Sequence, residues 1–162
     1  MDQKYRKVRR TAIITAIICV AVVIVIFIAP ILLLILNSNI RPIVRKQKIF
    51  NFVEKNYDII VEACGSNDFA ALSAIDGIQE VDFVNGYVLV YCQGYGFGSS
   101  TQYYGFYYSR DNLPVAVSDG QILCLSSQLV KEGDGYQYID SNYNIFYTEH
   151  IKGNIYFYKE YW

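Results

Sequence analysis

An uninterrupted apolar run lies near the start of the chain, from Ala12 to Leu36, and its 25 residues carry no charge. As a helix rising about 1.5 Å per residue it would reach about 37 Å, more than the roughly 30 Å hydrocarbon core of a bilayer. The residues just before it include five bases, Lys4, Arg6, Lys7, Arg9 and Arg10. The pattern predicts a basic tail at 1–11 and a transmembrane signal-anchor helix at 12–36, with the lipid bilayer as a partner.

Other roles for such a run fit less well. A cleaved signal peptide has an apolar stretch of about 7–15 residues and a small-x-small cleavage site, whereas this run is longer and ends in ILLLILNSN. A lipoprotein needs a cysteine after a small residue at the end of the run, but Cys19 follows Ile18 near its start. A type IV pilin would carry a glutamate, and the run has no acid. An uncleaved anchor is therefore expected.

The orientation follows from the basic residues on either side of the run. Five precede it, and four follow it, Arg41, Arg45, Lys46 and Lys48. Because Lys and Arg are retained on the cytoplasmic side, the denser N-terminal group predicts a single-pass protein of the cell membrane. Its N-terminus would be cytoplasmic and its C-terminal domain extracytoplasmic.

Beyond the run, polar residues and Pro42 predict a neck at 37–42 that breaks the helix. From Ile43 to Cys64 apolar positions recur at three- and four-residue steps, which is typical of an amphipathic helix that covers a sheet. These positions are Phe50, Val53, Tyr57, Ile60, Val61 and Cys64. Gly65 is expected to end this helix. A short second helix is predicted over Asn67–Ile75, with Ser66 or Asn67 as its cap.

From Ile78 the apolar period changes to two. Asn85-Gly86, flanked by alternating residues, predicts a type I′ hairpin that pairs Phe83 with Val88 and Val81 with Val90. One face of this hairpin is aliphatic and should pack on the helix. The other face carries Glu80, Asp82, Leu89 and Tyr91 together with Val84 and Tyr87.

Further strands are predicted at YYGFYYS, VAV, ILCL and YQYI, and a final hairpin around Gly153. The ILCL segment is expected to continue the same sheet. The predicted fold class is α+β, with one or two helices on a meandering antiparallel sheet of about five to seven strands. It would form a single domain at 43–162.

Charge separates this domain from the N-terminal part. Residues 41–162 hold nine bases and fourteen acids, a net charge of −5, whereas residues 1–40 hold five bases and one acid, a net charge of +4. Nucleic-acid binding needs clustered Lys and Arg, so no nucleic-acid partner is expected.

Cysteine and histidine usage argues against cofactors and metals. Cys64, Cys92 and Cys124 form an odd set without a CxxC motif. A bridge such as Cys92 to Cys124 is open, but three buried thiols are favoured. With one histidine and no close Cys/His spacing, no metal site is predicted. Gly94, Gly96 and Gly98 lack the GxGxxG spacing of a dinucleotide site, and no cofactor is predicted.

Candidate catalytic groups are sparse. No nucleophile can be assigned to His150, the only imidazole. The acids Asp76, Glu80 and Asp82, and the turn acids Glu132 and Asp134, are typical of solvated surfaces. A hydrolase would need two carboxylates across a cleft, and no such pair can be placed from the sequence, so no catalytic residue is predicted.

Tyrosine is unusually frequent: the chain has 16, and fourteen lie between Tyr87 and Tyr161. Strand propensity and packing explain many of them. Each buried tyrosine must also find a partner for its hydroxyl, so several are expected at the surface, where tyrosine is a favoured contact residue. The predicted binding residues are Tyr87, Tyr91, Tyr104 and Tyr108.

The segments GYGFGSSTQYYGFYYSRDNLPVAV (Gly94–Val117) and YTEHIKGNIYFYKEYW (Tyr147–Trp162) resemble a group of uncharacterised single-span proteins of clostridia-like Firmicutes. Those proteins also combine an N-terminal anchor, a helix ending near an IDGI-like stretch (here Ile75–Ile78) and a Tyr-rich C-terminal sheet. The resemblance implies this architecture and a bacterial membrane location. It implies no activity and no site residue.

The function predicted from these features is that of a membrane-anchored, non-enzymatic module that binds a protein or glycan, or serves as an accessory subunit. One alternative is an immunity or inhibitor protein at the membrane, since an acidic domain suits a basic partner. A second is an envelope hydrolase using Glu80, Asp82 or Glu149, which requires two close carboxylates in a concave pocket.

Overall fold

The structure is a computed structural model that describes residues 13–18, 20, 22–96 and 101–162. The chain divides into two compact units, Met1–Val44 and Arg45–Trp162. The first described residues, from position 13, are helical. Ile24–Ile28 form a π-helical turn, and the long helix α1 spans Ala29–Ser66. The 1–11 tail and positions 12, 19 and 21 of the predicted anchor lie outside the described residues. Within the described part of the chain, no helix is both long enough and apolar enough to cross a membrane.

The predicted neck is wrong, because residues 37–42 continue α1 without a break. Asparagine and serine weaken a helix by only a few tenths of a kcal/mol each, and helix propagation is cooperative once a helix has formed. Pro42 removes one backbone hydrogen bond but does not end the helix. The helix does not end at Gly65 as predicted but at Ser66. The next residue, Asn67, has a positive φ of 57°, which is common just after a helix C-terminus.

The amphipathic pattern of the C-terminal half of α1 is confirmed. Val53, Ile60 and Cys64 are fully buried, and Phe50, Tyr57 and Val61 pack around them. Helix α2 (Phe69–Ser73) is shorter than predicted. Its cap is Asp68, neither Ser66 nor Asn67: the Asp68 carboxylate accepts a hydrogen bond from the backbone N–H of Ala71 at 3.0 Å.

Nine strands follow the helices in the part of the chain that the structure describes. They are β1 (Glu80–Val84), β2 (Tyr87–Tyr95), β3 (Gln102–Ser109), β4 (Ala116–Ser118), β5 (Gln121–Cys124), β6 (Val130–Glu132), β7 (Gly135–Ile139), β8 (Ile145–Lys152) and β9 (Ile155–Tyr161), with a 3₁₀ turn at Ser126–Gln128. Seven of them form one antiparallel sheet in the order β1-β2-β3-β9-β8-β7-β6. The α+β class and the antiparallel sheet are confirmed. The meander is interrupted once, because the last strand lies between β3 and β8.

The β1–β2 hairpin has the predicted register. Phe83 pairs with Val88 and Val81 with Val90. Asn85 and Gly86 have φ values of 51° and 89°, as a type I′ turn requires. A bulge near Cys92 shifts the pairing of β2 with β3.

The two sides of the sheet have different coverings. The face that packs on α1, here called the helix face, carries Val88, Val90, Phe106 and Phe157. The opposite face carries Leu89, Tyr107, Tyr156 and Tyr158, which pack with Val115 and Val117. Strands β4 and β5 form a separate two-stranded sheet on that side, so we call it the hairpin face. The prediction that ILCL continues the main sheet is therefore wrong.

A buried hydroxyl connects this covering to the sheet. Tyr107 is fully buried, and its Oη accepts a hydrogen bond from the backbone N–H of Val115 at 2.9 Å. The same Oη lies 2.7 Å from Oγ1 of Thr148 on β8. The Tyr107 side chain thus connects the segment that leads into β4 with strand β8. This connection holds the β4–β5 hairpin against the main sheet.

Candidate functional site

The structure does not bring the four predicted binding tyrosines together. Tyr104 is fully buried in the core on the helix face, and Tyr108 is half-buried against the same core. Tyr87 packs edge-on against Tyr107 on the hairpin face, with 6.2 Å between ring centroids. Tyr91 lines an open cavity on that face. Tyr87 and Tyr91 thus lie on the hairpin face and Tyr104 and Tyr108 on the helix face, because residues an even number of positions apart on a strand point to the same side.

The cavity beside Tyr91 has a volume of about 700 Å³ and lies between the main sheet and the β4–β5 turn. Four carboxylates line it: Glu80 and Asp82 from β1, Asp119 from the turn and Glu160 from β9. Four aromatic side chains also line it: Tyr91, Tyr103, Tyr158 and Trp162. Acidic and aromatic groups from five parts of the chain thus share one concave site.

Strand alternation explains how the main-sheet residues reach this site. Glu80, Asp82 and Tyr91 lie on the face that the sequence assigns to them, away from the aliphatic positions of the hairpin. On β9, Tyr158 and Glu160 are two residues apart and therefore point to the same side. The cavity wall is formed by regular strands, which hold its side chains more rigidly than loops would.

Close backbone approaches shape the wall. Gly120, with a φ of 68°, lies so near Asp82 that a Cβ there would be 3.0 Å from Oδ2. Gly94 leaves room for the Tyr91 hydroxyl, since a Cβ at that position would be 2.6 Å from it. The rings of Tyr91 and Tyr103 meet edge-on, with 5.8 Å between their centroids. Glycine at these two positions therefore permits the arrangement of acids and rings.

Glu160 is the most strongly perturbed acid of the cavity. Its side chain is only 4% exposed, and burial raises the pKa of its carboxyl to about 7. The Asp119 carboxylate raises the pKa further, whereas the side chains of Ser118 and Trp162 and the Asp119 backbone oppose the shift. The Ser118 hydroxyl is close enough to favour the charged form, yet in the described residues it has no partner of acceptable hydrogen-bond geometry.

The described lining of this cavity contains no positive charge. No Lys, Arg or His lines it among the residues that the structure describes. Among the described residues, Nζ of Lys46 forms an ion pair with Oε2 of Glu149 at 2.6 Å. This pair involves none of the four cavity acids. The carboxylates are therefore not compensated by a basic side chain of the described chain.

Glu149, the third acid considered for a hydrolase, lies elsewhere. Tyr147, two residues away on the same strand, packs on the helix face, and the Glu149 carboxylate accepts hydrogen bonds from Lys46 and from the Tyr147 hydroxyl. The neighbouring His150 is exposed and its Nε2 lies 2.7 Å from the carbonyl oxygen of Gly153.

A second cavity, of about 470 Å³, is lined by Tyr147, Tyr161 and Lys159 among others. Burial, followed by the charge of Lys46, lowers the pKa of Lys159 to about 8. The Lys159 ammonium lies 4.2 Å from the centroid of the Tyr161 ring. That aromatic contact explains how a half-buried cation is accommodated here.

Three cysteines lie among the described residues. Cys64, Cys92 and Cys124 are free thiols, so the bridge from Cys92 to Cys124 is absent. Burial raises the pKa of the Cys64 and Cys92 thiols to about 12, which keeps them protonated and poorly nucleophilic. In the described ranges, no group of His, Cys, Asp and Glu side chains could hold a metal ion.

Of the eight acidic and aromatic residues that line the cavity, sequence reasoning missed five: Tyr103, Asp119, Tyr158, Glu160 and Trp162. The available indication was Glu160, a single acid at an inward position of the aromatic strand IYFYKEY. A charge within such a strand is unusual enough to suggest a site.

No protein family, curated protein or solved structure matches the chain.

Proposed function

We propose that the chain is a membrane-anchored, non-enzymatic module that presents its C-terminal unit, outside the cell, to bind a protein or glycan at the cavity beside Tyr91. The observation that carries this proposal is the combination of four carboxylates and four aromatic rings in one open cavity of about 700 Å³. Ligand sites commonly have such a concave shape with a few converging polar groups. The aromatic rings offer contact area with little loss of side-chain entropy.

Anchoring is supported by the composition and exposure of the N-terminal apolar run. Its large described side chains are exposed, including Ile17 at 62%, Val25 at 66% and Phe27 at 63%. A continuous apolar surface of this kind is unfavourable in water and marks contact with a membrane or another protein. The five bases before the run and its 25 uncharged residues favour the bilayer.

Charging the run should release the protein from membranes. We expect the full-length chain to sediment with the membrane fraction and to resist extraction by high salt. The triple variant Ile17→Asp, Val25→Asp and Leu32→Asp should move to the supernatant, because an acid near the centre of a spanning helix costs about 3 kcal/mol. The same three positions changed to other apolar residues serve as the control. Recovery of the unchanged full-length chain in detergent-free extract would contradict the anchor.

Removing the cavity's charges should abolish partner binding in intact cells. The isosteric variant E80Q/D82N/D119N keeps the cavity's shape and removes three charges, while the control E54Q/D58N/D76N removes three exposed charges elsewhere. In proximity labelling, we expect neighbours enriched by the unchanged protein to be retained by the control variant. They should be lost from the cavity variant. Equal enrichment by all three proteins would contradict a role for this cavity.

A hydrolase is the second candidate, because the cavity satisfies the requirement for several carboxylates in one concave site. Glu160, whose pKa is about 7, would be about half protonated at pH 7, so a fraction of the molecules could use it as a general acid. Asp82 or Asp119 would then act as the base. Release of a cleaved product by the unchanged protein and not by E160Q would favour this candidate over binding alone.

A further inference from the structure

We propose that this cavity recognises protonated amine or guanidinium groups presented by a basic segment of a partner protein. The inference rests on the proposed binding function and names the chemistry of its ligand. It is carried by three properties of the site: uncompensated negative charge, aromatic rings without cations, and more carboxylates than one cation could neutralise.

The charge of the cavity favours a cation over a neutral ligand. Glu80, Asp82, Asp119 and Glu160 converge without a basic side chain among the described residues. The Asp119 carboxylate raises the pKa of the buried Glu160 carboxyl, which shows that these two negative charges repel each other. A bound cation would relieve this repulsion, whereas a neutral sugar would displace water from the carboxylates without neutralising them.

Several aromatic rings elsewhere in the described residues have a cation over their face, whereas the rings of the cavity have none there. The Arg45 guanidinium lies 4.0 Å from the centroid of the Tyr95 ring. The ammonium groups of Lys152 and Lys159 each lie 4.2 Å from a tyrosine ring. In the described residues no cation is placed over the four rings of the cavity, Tyr91, Tyr103, Tyr158 and Trp162. Rings beside carboxylates form the kind of site that binds ammonium and guanidinium groups.

The Ser118 hydroxyl lies beside Glu160, the most buried acid of the cavity. Ser118 is only 3% exposed, and its Oγ makes no hydrogen bond of acceptable geometry within the described residues. It lies against Glu160, which forms part of the cavity wall. The contact lowers the pKa of the Glu160 carboxyl against the larger effect of burial, and so favours the charged form that would pair with a cation. A cation that draws the Glu160 carboxylate into its charged form would also change the surroundings of this hydroxyl.

The number and position of the acids favour a basic protein segment over a single small amine. One ammonium neutralises one carboxylate, whereas consecutive Lys or Arg side chains can pair with several of them. The surrounding domain attracts the same partners at longer range, since residues 41–162 carry a net charge of −5. Trp162 is 44% exposed and also lines the cavity, so it can contact an approaching chain.

Trp162 also supplies the measurement, because it is the only tryptophan of the chain. The full-length protein is kept in a polyoxyethylene detergent, which carries no sugar, and titrated with an end-blocked tetra-arginine peptide near pH 8 and at low salt. We expect a saturable change in Trp162 fluorescence that weakens as salt is added. The tetra-citrulline peptide has nearly the same shape without charge and should give no saturable change.

The charge variants test whether the effect belongs to the cavity. E80Q/D82N/D119N should weaken tetra-arginine binding by about tenfold or more, as expected when close charge pairs are removed. E54Q/D58N/D76N should leave it within about twofold, because isolated surface charges contribute little. Equal weakening by both variants would show general attraction to an acidic protein and would overturn the inference. Saturable binding of butylammonium as tight as that of the peptide would overturn the protein-segment part.

Failure of this inference can be distinguished from failure of the proposed function. If tetra-arginine does not bind while proximity labelling still depends on E80Q/D82N/D119N, the cavity binds something else and the inference alone is wrong. If neither measurement depends on these acids, both proposals are wrong. If both depend on them, the partner is one that presents basic side chains.

Discussion

Gly105→Ala is expected to destabilise the C-terminal unit by about 3 kcal/mol, near the upper end of the effects of overpacking. Gly105 is buried in β3, between β2 and β9. A Cβ there would lie 2.6 Å from Cε1 of Tyr158 and would also meet the carbonyl oxygen of Val90. The ring could move, but the Val90 oxygen belongs to a paired strand and cannot move without disturbing the sheet.

Gly65→Ala is the matched control for this substitution. Gly65 lies in α1, and nothing approaches its Cβ position within 4 Å. Alanine is favoured over glycine in a helix by about 1 kcal/mol, so this variant should be slightly more stable. Urea unfolding of the full-length chain in detergent measures both changes. A Gly105→Ala variant as stable as the unchanged protein would contradict the close contact between β3 and Tyr158.

The Gly105 substitution also connects fold and site. Because the Tyr158 ring crosses Gly105 and lines the cavity, any accommodation of the new methyl group moves a cavity wall. Tyr158 is part of the core on the hairpin face as well. The same side chain therefore contributes to stability and to the shape of the site.

Local patterns were sufficient for the β1–β2 hairpin, because both the turn and the pairing lie within sixteen residues, 80–95. Asn85-Gly86 sets the turn, and alternation sets the register. The neighbour of β3 could not be found in this way. It is β9, about fifty residues later in the chain, and strand alternation alone does not specify which distant strand pairs with which.

The covering of the hairpin face was missed for a related reason. The mixed face of the first hairpin was expected to hold exposed tyrosines, but β4 and β5 fold over part of it. Short strands such as VAV and ILCL have the same pattern whether they extend a sheet or pack on one. The error at Tyr104 is of another kind, since the tyrosines of YYGFYYS alternate in direction and Tyr104 belongs to the helix face.

Some residues of the candidate site could be placed from the sequence, and others could not. Glu80, Asp82 and Tyr91 share the predicted face of one hairpin and do line the cavity. Asp119 and Glu160 come from segments that only the tertiary fold brings close to them. Sequence patterns therefore placed Glu80, Asp82 and Tyr91 on one face but predicted no cavity there, because the other acids are brought to it only by the tertiary fold.

Glu160→Gln is expected to make the protein more stable above pH 7 and to change its stability by less than about 1 kcal/mol near pH 5. The Glu160 carboxyl has a pKa of about 7 in the folded protein, above its ordinary value of 4.5, chiefly because it is buried. Between these two values the folded state binds more protons than the unfolded state, so stability falls as the pH rises. Each pKa unit corresponds to about 1.4 kcal/mol, and the full effect is therefore about 3 kcal/mol.

The substitution removes this dependence because an amide does not ionise. Urea unfolding of the full-length chain in detergent, at pH 5 and at pH 8, measures the difference between the two proteins at each pH. Glu54→Gln, on an exposed part of α1, is the control and should change stability little at either pH. Equal effects of Glu160→Gln at both pH values would contradict an ionisation of Glu160 near neutrality.

The pH dependence also bears on why a buried acid is kept in this strand. A glutamine at position 160 would give a more stable fold at pH 8, so the charge is unfavourable for folding alone. A basic ligand in the cavity would stabilise the charged carboxylate and with it the folded state. Adding the tetra-arginine peptide at pH 8 should therefore raise the unfolding free energy of the unchanged protein more than that of Glu160→Gln. An equal rise in both would show that Glu160 takes no part in cation binding.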